Sequence, residues 1–431
     1  TFVPSKHACM FNLILTGAIF GILYSIKAIF VVTQKRPKPW NWLLTVIYSS
    51  VTIGFFLWCY FTTQQWEELR VNNQDLLDFA VGGFFTLAVT TLIIGVIHLL
   101  DDLVYLVRWI VRKFKKRSIK PNHEEDIVPA KKMSRSSFIT KVGLGVGGFI
   151  LGSFAWGLTK GKFGWKIFEH EIAFDNLPPE FDGARIVQIS DFHLGSFKNN
   201  FEPLEEAVQM VNDLNPDYIF FTGDLINTYA TEAEAWIPVF RKLKAKKGKY
   251  SILGNHDYGY YGDTTDEEQE QIKLGVIEMN KRMDFQILVN EHAILEHKGA
   301  KIGLLGVENW GESHWFPKIG DVAKAEENMP EVPFKILLSH DPSHWDMHIQ
   351  GKRPDIDLTL SGHTHGAQMG LRIPGVLEIS PAALMFKRWA GLYFEGKQAL
   401  HINRGLGYLM IPGRIGMPPE ISLLTLKRQK A

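Results

Sequence analysis

Four long apolar stretches occupy the first part of the chain, at residues 10–32, 42–61, 76–107 and 138–158. Each is about as long as a helix must be to cross a hydrocarbon core of roughly 30 Å. The alternative is a set of buried helices in a globular core, but globular helices of this length usually carry polar residues along one face. The pattern therefore predicts four membrane-spanning helices.

The loops between these stretches differ in charge. The first loop carries Lys35, Arg36 and Lys38, the second is mainly acidic, and the third, residues 108–137, is strongly basic. Basic loops tend to stay on the cytoplasmic side of a membrane. We therefore expect a multi-pass protein of the cell inner membrane, with three helices in residues 1–107, a basic cytoplasmic linker at 108–137 and a fourth helix in 138–160. Everything after residue 160 is then expected on the extracytoplasmic side, although three lysines follow the fourth stretch.

A short polar motif precedes the fourth stretch. The residues Ser134-Arg135-Ser136-Ser137 are similar to a twin-arginine export signal in which serine replaces the second arginine. A chance match is the alternative. The similarity favours descent of the fourth helix from an export signal, and thus the same orientation.

From residue 185 onward, short apolar runs alternate with amphipathic helices. Strands are predicted at residues 185–190, 217–222, 250–253, 286–289, 293–296, 302–306, 334–338 and 358–360, helices at 202–214, 232–244 and 267–283, and short strands and turns at 373–426. Strand–helix alternation followed by strand-rich pairs is typical of an α/β sandwich of sheets with helices outside. Residues 161–431 are therefore expected to form one water-soluble domain.

Composition supports this division into two environments. The 431 residues include 47 basic and 46 acidic side chains and two cysteines. This balance excludes a polybasic nucleic-acid binder, a disordered acidic chain and a disulfide-stapled secreted module. No nucleic-acid partner is therefore expected. Residues 1–107 carry only twelve charged side chains, so we expect the lipid bilayer to be the partner of that end of the chain.

Five motifs rich in metal-binding side chains each follow a predicted strand directly. They are Asp191-Phe192-His193, Gly223-Asp224, Gly254-Asn255-His256-Asp257, His340, and Gly362-His363-Thr364-His365. Each motif alone has a structural alternative, such as a surface turn or a helix cap. Because the carboxyl ends of strands in open α/β sheets form the ligand crevice, all five motifs are expected to face one cleft.

The ordered series of motifs resembles the calcineurin-like metallophosphoesterases over about residues 183–428. It is most similar to the bacterial membrane-anchored branch with a twin-arginine-like segment before the catalytic domain. The tail sequences Asn403-Arg404-Gly405-Leu406-Gly407, Pro412-Gly413-Arg414 and Pro418-Pro419-Glu420-Ile421 also look like that branch. The resemblance implies a four-layer α/β sandwich, with two mixed β-sheets flanked by helices, behind an all-α transmembrane region.

The resemblance also implies a ligand set for two divalent metal ions. Asp191, His193, Asp224 and His365 would hold one ion, and Asp224, Asn255, His340 and His363 the other, so that Asp224 bridges them. Mixed imidazole and oxygen ligands suit Mn, Fe, Zn or Co, of which we favour manganese. Two such ions about 3.5–4 Å apart can activate a bridging hydroxide for attack on phosphorus.

The same resemblance assigns roles to residues outside the ligand set. His256 is expected to donate a proton to the leaving oxygen or to stabilise it, with Asp257 as the residue that could orient it. Arg404 and Arg414 could bind the substrate phosphate, or could instead form structural ion pairs. The aromatic and basic residues at 309–316 and 384–389 could face a bilayer surface, or could instead be edges of the sheet core.

These expectations lead to a hypothesis for function. The chain is predicted to be a membrane-embedded, metal-dependent phosphatase or phosphodiesterase that hydrolyses a phosphoester or pyrophosphate bond. Four spans exceed what anchoring needs, so we expect a phosphorylated substrate that is lipid-linked. The alternative from another class is a non-catalytic receptor or transport component whose metallo-domain only binds a ligand. A protein phosphatase is a third, weaker hypothesis.

Overall fold

The computed structural model describes residues 6–65, 68–69, 73–114, 135–198, 200–313, 316–373 and 375–429. The chain divides into two compact units, Thr1–Trp156 and Gly157–Ala431. The predicted basic linker at 108–137 lies largely at residues 115–134, outside the described residues.

The first unit is built from long helices. They are α1 (Lys6–Thr33), α2 (Lys38–Thr63), α3 (Gln74–Phe114) and α4 (Arg135–Thr159), the last of which continues into the second unit. Among the described residues, all four contain a segment long and apolar enough to cross a membrane. Helix α3 extends beyond the predicted end at residue 107. Its last turn carries Arg112 and Lys113, whose positive charges interact favourably with the negative end of the helix dipole.

Close packing and one ion pair join α1 to α3. A Cβ atom on Gly21 would collide with the backbone of Thr91 and Leu92, so glycine is needed for the two helices to approach this closely. Further along, the Lys27 ammonium lies 2.6 Å from the Asp102 carboxylate. These contacts fix the pairing of the first and third helices.

The described residues of the second unit form two six-stranded sheets and a small hairpin. The first sheet has the order β1 (Lys166–Phe174), β14 (Glu420–Arg428), β2 (Arg185–Ile189), β3 (Tyr218–Phe221), β4 (Gly248–Ser251) and β5 (Gln286–Ile287). The second has the order β12 (Gly391–Glu395), β13 (Gln398–Ile402), β9 (Leu358–Ser361), β8 (Lys335–Leu338), β7 (Ala300–Gly306) and β6 (Glu291–His297). The hairpin pairs β10 (Leu371–Ile373) with β11 (Leu377–Ile379).

Apolar side chains define the layers of this unit. Ile186 and Phe220 of the first sheet pack with Ile336 of the second in a buried core between the sheets. The outer face of the first sheet is covered by α5 (Glu202–Asp213), α6 (Ile237–Phe240) and α7 (Asp266–Arg282). The outer face of the second sheet packs against α8 (Val322–Ala325) and a helical turn at Trp345–Ile349. This arrangement confirms the predicted sandwich of two mixed sheets with helices outside.

The strand directions bring the predicted motifs together. Strands β2, β3 and β4 are parallel, as are β7, β8 and β9, so their carboxyl ends lie at one edge of each sheet. A hydrogen bond from the Gln188 side chain to the Ser361 carbonyl, 2.8 Å long, joins the two sheets near that edge. The cleft therefore opens where both sheets end.

Two elements differ from the sequence prediction. The helix predicted at 232–244 is a 3₁₀ segment, Ala230–Trp236, followed by the single turn of α6, because Pro238 lacks the backbone N–H that a continuous helix requires. Strand β1 was not predicted, since its first residues are exposed and show no regular apolar alternation. It forms by pairing in parallel with β14.

We expect Phe192→Ala to destabilise the second unit by about 3–5 kcal/mol. The buried Phe192 ring stacks on Phe221 and Phe240, with centroids 4.3 Å and 4.4 Å away, directly between two motif residues. The measurement is the midpoint of unfolding of the full chain in detergent, monitored by tryptophan fluorescence. The control is Phe394→Ala, because Phe394 is 56% exposed. Equal midpoints for the two variants would contradict the expectation.

Candidate metal centre

One group of metal-binding side chains follows strands β2 and β9. The Nε2 atoms of His193 and His365 lie 3.0 Å apart, and His365 Nε2 lies 3.2 Å from an Asp191 carboxylate oxygen. All three residues are buried. Their candidate ligand atoms lie within 4.8 Å of one another, close enough to surround one ion.

A second group follows strands β3, β8 and β9. His340 Nε2 lies 3.1 Å from an Asp224 oxygen, and His363 completes the group of three. The Asn255 side-chain oxygen lies 2.7 Å from His363 Nδ1 and 3.1 Å from His340 Nε2. The structure thus brings all four residues predicted for the second ion together.

Asp224 connects the two groups. The Asp224 Oδ2 atom that faces His340 also lies 3.5 Å from His193 Nε2. Its other oxygen accepts a 2.8 Å hydrogen bond from the His256 backbone N–H, which fixes the carboxylate plane. Asp224 therefore lies within reach of both groups.

Backbone strain marks the same residues. Asp191, His193, Asp224, His363 and His365 all have positive φ, between 47° and 72°. Side-chain-bearing residues rarely adopt this conformation, which costs about 1–3 kcal/mol at each position and concentrates at functional sites. A glycine is needed beside them, because a Cβ atom on Gly362 would collide with the side chains of Ser190 and Asp191.

Burial and charge set the protonation of the imidazoles. Burial lowers the pKa of His193 to about 3, and burial with the neighbouring His193 lowers the pKa of His365 well below its usual value. Burial alone would lower the pKa of His340, but the Asp224 carboxylate outweighs it and raises that pKa to about 10. Conversely, burial would raise the pKa of Asp224, but the His340 charge holds it well below its usual value.

This donor set fits divalent cations. Two mutually facing neutral imidazole nitrogens can share at most one proton, yet both can coordinate an ion. Burial also raises the pKa of Asp191 to about 7, because the ionised carboxylate is costly away from water. A cation beside Asp191 would therefore stabilise its ionised form. His340 Nδ1 donates a 2.6 Å hydrogen bond to the Thr222 carbonyl, which leaves Nε2 as the coordinating atom.

His256 lies beside the two groups with partners of its own. Its Nδ1–H donates to the Asn227 carbonyl at 2.7 Å. The imidazole stacks on the Tyr261 ring at 4.1 Å and meets the His193 ring edge to face at 4.9 Å between centroids. Burial lowers the pKa of His256 and favours its neutral form.

Asp257 makes a different kind of contact from the one predicted. Its carboxylate accepts hydrogen bonds from the backbone N–H groups of Gly254, Asp224 and Leu225, at 2.8–3.0 Å. Burial, with the nearby Asp224 charge, raises its pKa to about 7. Asp257 thus joins the loops that carry Asp224 and Asn255, and a direct role at His256 stays a prediction.

Arg404 and Arg414 are buried and engaged. Arg404 forms ion pairs with Glu420 and Glu378. Arg414, 1% exposed, donates to the backbone carbonyls of Gly407 and Arg404 at 2.6–2.7 Å. These contacts favour the structural alternative, so phosphate binding by either arginine stays a prediction.

Two further residues at the site were missed by sequence reasoning. The Asp341 carboxylate lies 3.5 Å from His363 Nε2, where it can orient the ring while Nδ1 faces the second group. Tyr261 covers His256 and accepts a 2.7 Å hydrogen bond from the Asn255 amide. The position of Asp341 directly after His340 is a sequence signal that could have placed it at the site. Tyr261 offers no such signal, because it lies six residues after Asn255.

Both aromatic segments contribute to this cleft. The rings of Phe316 and Phe386 meet His363 edge to face, with centroids 4.8 Å and 5.4 Å away. They come from the segments 309–316 and 384–389, and the cleft around the second group is therefore partly apolar.

Comparisons with known proteins identify the family. Residues 184–367 match the family described as "Calcineurin-like phosphoesterase", and residues 7–162 match "Probable Calcineurin-like phosphoesterase, transmembrane domain". The chain is 33% identical over 262 residues to the uncharacterized metallophosphoesterase YkuE of Bacillus subtilis, covering 60% of this chain and 84% of that protein.

Two other relatives carry informative descriptions. A transmembrane protein with metallophosphoesterase domain from Danio rerio is 33% identical over 269 residues, covering 61% of this chain and 57% of the relative. The UDP-2,3-diacylglucosamine pyrophosphatase LpxG of Chlamydia trachomatis is 29% identical over 301 residues, covering 58% of this chain and 86% of that protein.

The chain therefore belongs to the calcineurin-like phosphoesterase family. It is a membrane protein and a metal-dependent phosphoric ester hydrolase, which counts against a domain that only binds a ligand. Members of this family use divalent metals, and the two groups of clustered histidine and aspartate side chains could hold them here.

We expect metal affinity to rise with pH between 6 and 9. With a pKa of about 10, His340 carries a proton at neutral pH in the metal-free protein and must release it when Nε2 coordinates. Each released proton makes binding about tenfold tighter per pH unit below that pKa. Calorimetric titration of the metal-free protein with Mn²⁺, in two buffers of different ionisation enthalpy, measures the protons released. An affinity that is the same at pH 6 and pH 8, with no proton release, would contradict this expectation.

Proposed function

We propose that the protein hydrolyses a phosphoester or pyrophosphate bond at a site that holds two divalent ions. The observation that carries this proposal is the placement of Asp224 between two buried groups of ligand atoms. The ligands would be Asp191, His193, Asp224, Asn255, His340, His363 and His365, with manganese as the favoured metal. Two ions there would neutralise phosphate oxygens and supply a hydroxide nucleophile at neutral pH.

The protein's own residues hold and orient the reacting groups. His340 is held by the Thr222 carbonyl and His363 by Asp341, so that each ring presents its other nitrogen to the cleft. Such outer partners fix ring orientation and raise ligand affinity. Phe316 and Phe386 exclude water from one side of the second group, which strengthens the electrostatic interactions within it.

His256 is the proposed proton donor to the leaving oxygen. Because its Nδ1–H is committed to the Asn227 carbonyl, Nε2 is the nitrogen that exchanges a proton with substrate. The ring is neutral while the cleft lacks a phosphate, since burial lowers its pKa. A bound phosphate brings negative charge, which raises the pKa of His256 and allows Nε2 to carry the proton.

We further propose a substrate with a lipid part, hydrolysed on the extracytoplasmic side of the inner membrane. The helical unit supports a bilayer location, and four spans exceed the need for an anchor. One relative is described as a pyrophosphatase acting on UDP-2,3-diacylglucosamine, a nucleotide joined to an acylated sugar. The basic third loop supports the proposed orientation.

We expect His256→Ala to lower kcat by about 10²–10⁴-fold while leaving metal content unchanged. The assay uses the full chain in detergent with Mn²⁺ and a soluble alkyl phosphodiester, whose alkoxide leaving group needs a proton, and metal content is measured by mass spectrometry. His297→Ala is the matched control, because His297 lies at the end of β6, outside the metal-binding groups. Unchanged turnover by the His256 variant would rule out its proton-donor role.

The same assay examines the lipid part of the proposal. UDP-2,3-diacylglucosamine in mixed micelles should give a kcat/KM at least on the order of tenfold above that of the soluble diester, because apolar chains add binding energy. Equal kcat/KM values for the soluble ester and the lipid would contradict the proposed lipid preference. They would not contradict the phosphoesterase activity itself.

A further inference from the structure

The β10–β11 hairpin presents its apolar face to the outside. In its register Leu371 lies opposite Ile379 and Ile373 opposite Leu377, so all four side chains share one face. They are between 42% and 55% exposed. A hairpin on a water-soluble domain normally turns such a face toward the core.

The polar face of this hairpin points inward instead. Arg372, which pairs with Glu378 across the strands, lies over the Phe168 ring of β1, 4.5 Å from its centroid. The Glu378 carboxylate lies 2.6 Å from the buried Arg404 guanidinium. Because these contacts hold the charged face against the domain, the fold determines that the apolar face points outward. A shift of the hairpin register by one residue would exchange the two faces.

The segments joined to the hairpin extend its apolar character. Val376 in the turn is 78% exposed, and Leu384 and Met385, which follow β11, are 90% and 72% exposed. On the other side, Gln368 precedes β10 and donates to the carbonyls of Leu409 and Ile411, on either side of the exposed Met410. Apolar surface this extensive is uncommon on a soluble domain and marks an interaction site.

The base of the hairpin lies next to the end of the fourth spanning helix. Ile415 donates to the Gln368 carbonyl and accepts from Gly370 N–H, both at 2.8 Å. The preceding residue, Arg414, donates from its backbone N–H to the Gly157 carbonyl in the last turns of α4. One loop thus holds both the base of the hairpin and the point where the span ends.

The hairpin is also joined to the metal centre. The Ser380 hydroxyl, which follows β11, donates a 2.7 Å hydrogen bond to the carbonyl of Gly366, the residue after His365. The hairpin is therefore attached to the loop that carries His363 and His365.

We propose that the apolar face of the β10–β11 hairpin, with Val376, Leu384 and Met385, inserts into the leaflet of the bilayer at which α4 ends. A lipid bilayer is the inferred contact for two reasons. The hairpin adjoins the end of a membrane-spanning helix, and its aliphatic side chains match the boundary between lipid headgroups and acyl chains. The insertion places the metal centre at the membrane surface. It does not depend on which bond the enzyme hydrolyses.

The test measures the depth of the hairpin in a bilayer. The full chain, with Cys9→Ala and Cys59→Ala, receives Val376→Cys, is labelled with an environment-sensitive fluorophore and is reconstituted into phosphatidylcholine–phosphatidylglycerol vesicles. Lipids carrying a nitroxide near the headgroup should quench this label several-fold more than a label at Leu274→Cys, and aqueous iodide should show the reverse order. Leu274 is a matched control, because it is 47% exposed on α7, which packs at the β5 edge of the sheet, opposite β1.

Two serine substitutions test whether the apolar face itself makes the contact, and dilution distinguishes the bilayer from a second copy of the chain. Adding Ile373→Ser and Leu377→Ser, both at exposed positions, should abolish nitroxide quenching at Val376 without lowering turnover of a soluble phosphodiester. Iodide quenching at Val376 equal to that at Leu274, with no nitroxide effect, would overturn the proposal. So would protection from iodide that disappears on dilution of the protein among vesicles, because a second copy would then cover the hairpin.

Discussion

The buried carboxylates Asp191 and Asp224 are the constraint on which the catalytic unit depends. Each lies between two β-sheets, away from water, where an ionised group is costly unless positive charge or hydrogen bonds compensate it. Compensation comes from the imidazoles around them and from backbone N–H groups, such as those of His256 and His363, that point at the carboxylates. Divalent ions would complete it. The pairing of the sheets, the strained loops at their ends and the depressed pKa values of His193 and His365 all serve this arrangement.

Rigid strands make the strain at this site sustainable. The positive φ angles of Asp191 and Asp224 follow directly from the ends of β2 and β3, which are locked in a parallel ladder and buried on both faces. Asp257 then ties the loop after β3 to the loop after β4 through their backbone N–H groups. The ligand atoms are held by the framework before any ion or substrate binds, so little reorganisation is required on binding. Within the same unit, the loop at Arg414 and Ile415 contacts the last turn of α4 through the Gly157 carbonyl.

Sequence reasoning located the four apolar helices and the clustering of the motifs, because helix length and the position of a residue after a strand are local properties. It leaves alternatives open where the outcome depends on packing. The sequence offers Asp257 as a possible partner for His256, and the structure adds that its carboxylate accepts hydrogen bonds from backbone groups of two loops. For Arg404 and Arg414 the sequence allows phosphate binding or structural ion pairs, and their contacts favour the structural alternative. The alternation of β10 and β11 indicates one apolar face, but only the tertiary contacts of Arg372 and Glu378 show that this face points outward.

Asp224 is proposed to bridge two metal ions at the junction of the two sheets. The decisive measurement is a crystal structure of the full chain grown with Mn²⁺, with anomalous difference maps collected at the manganese edge. We expect two peaks about 3.5–4 Å apart, one beside His193 and His365 and the other beside His340 and His363, with Asp224 between them. A single peak, or peaks that these histidines do not contact, would show that Asp224 does not bridge two ions.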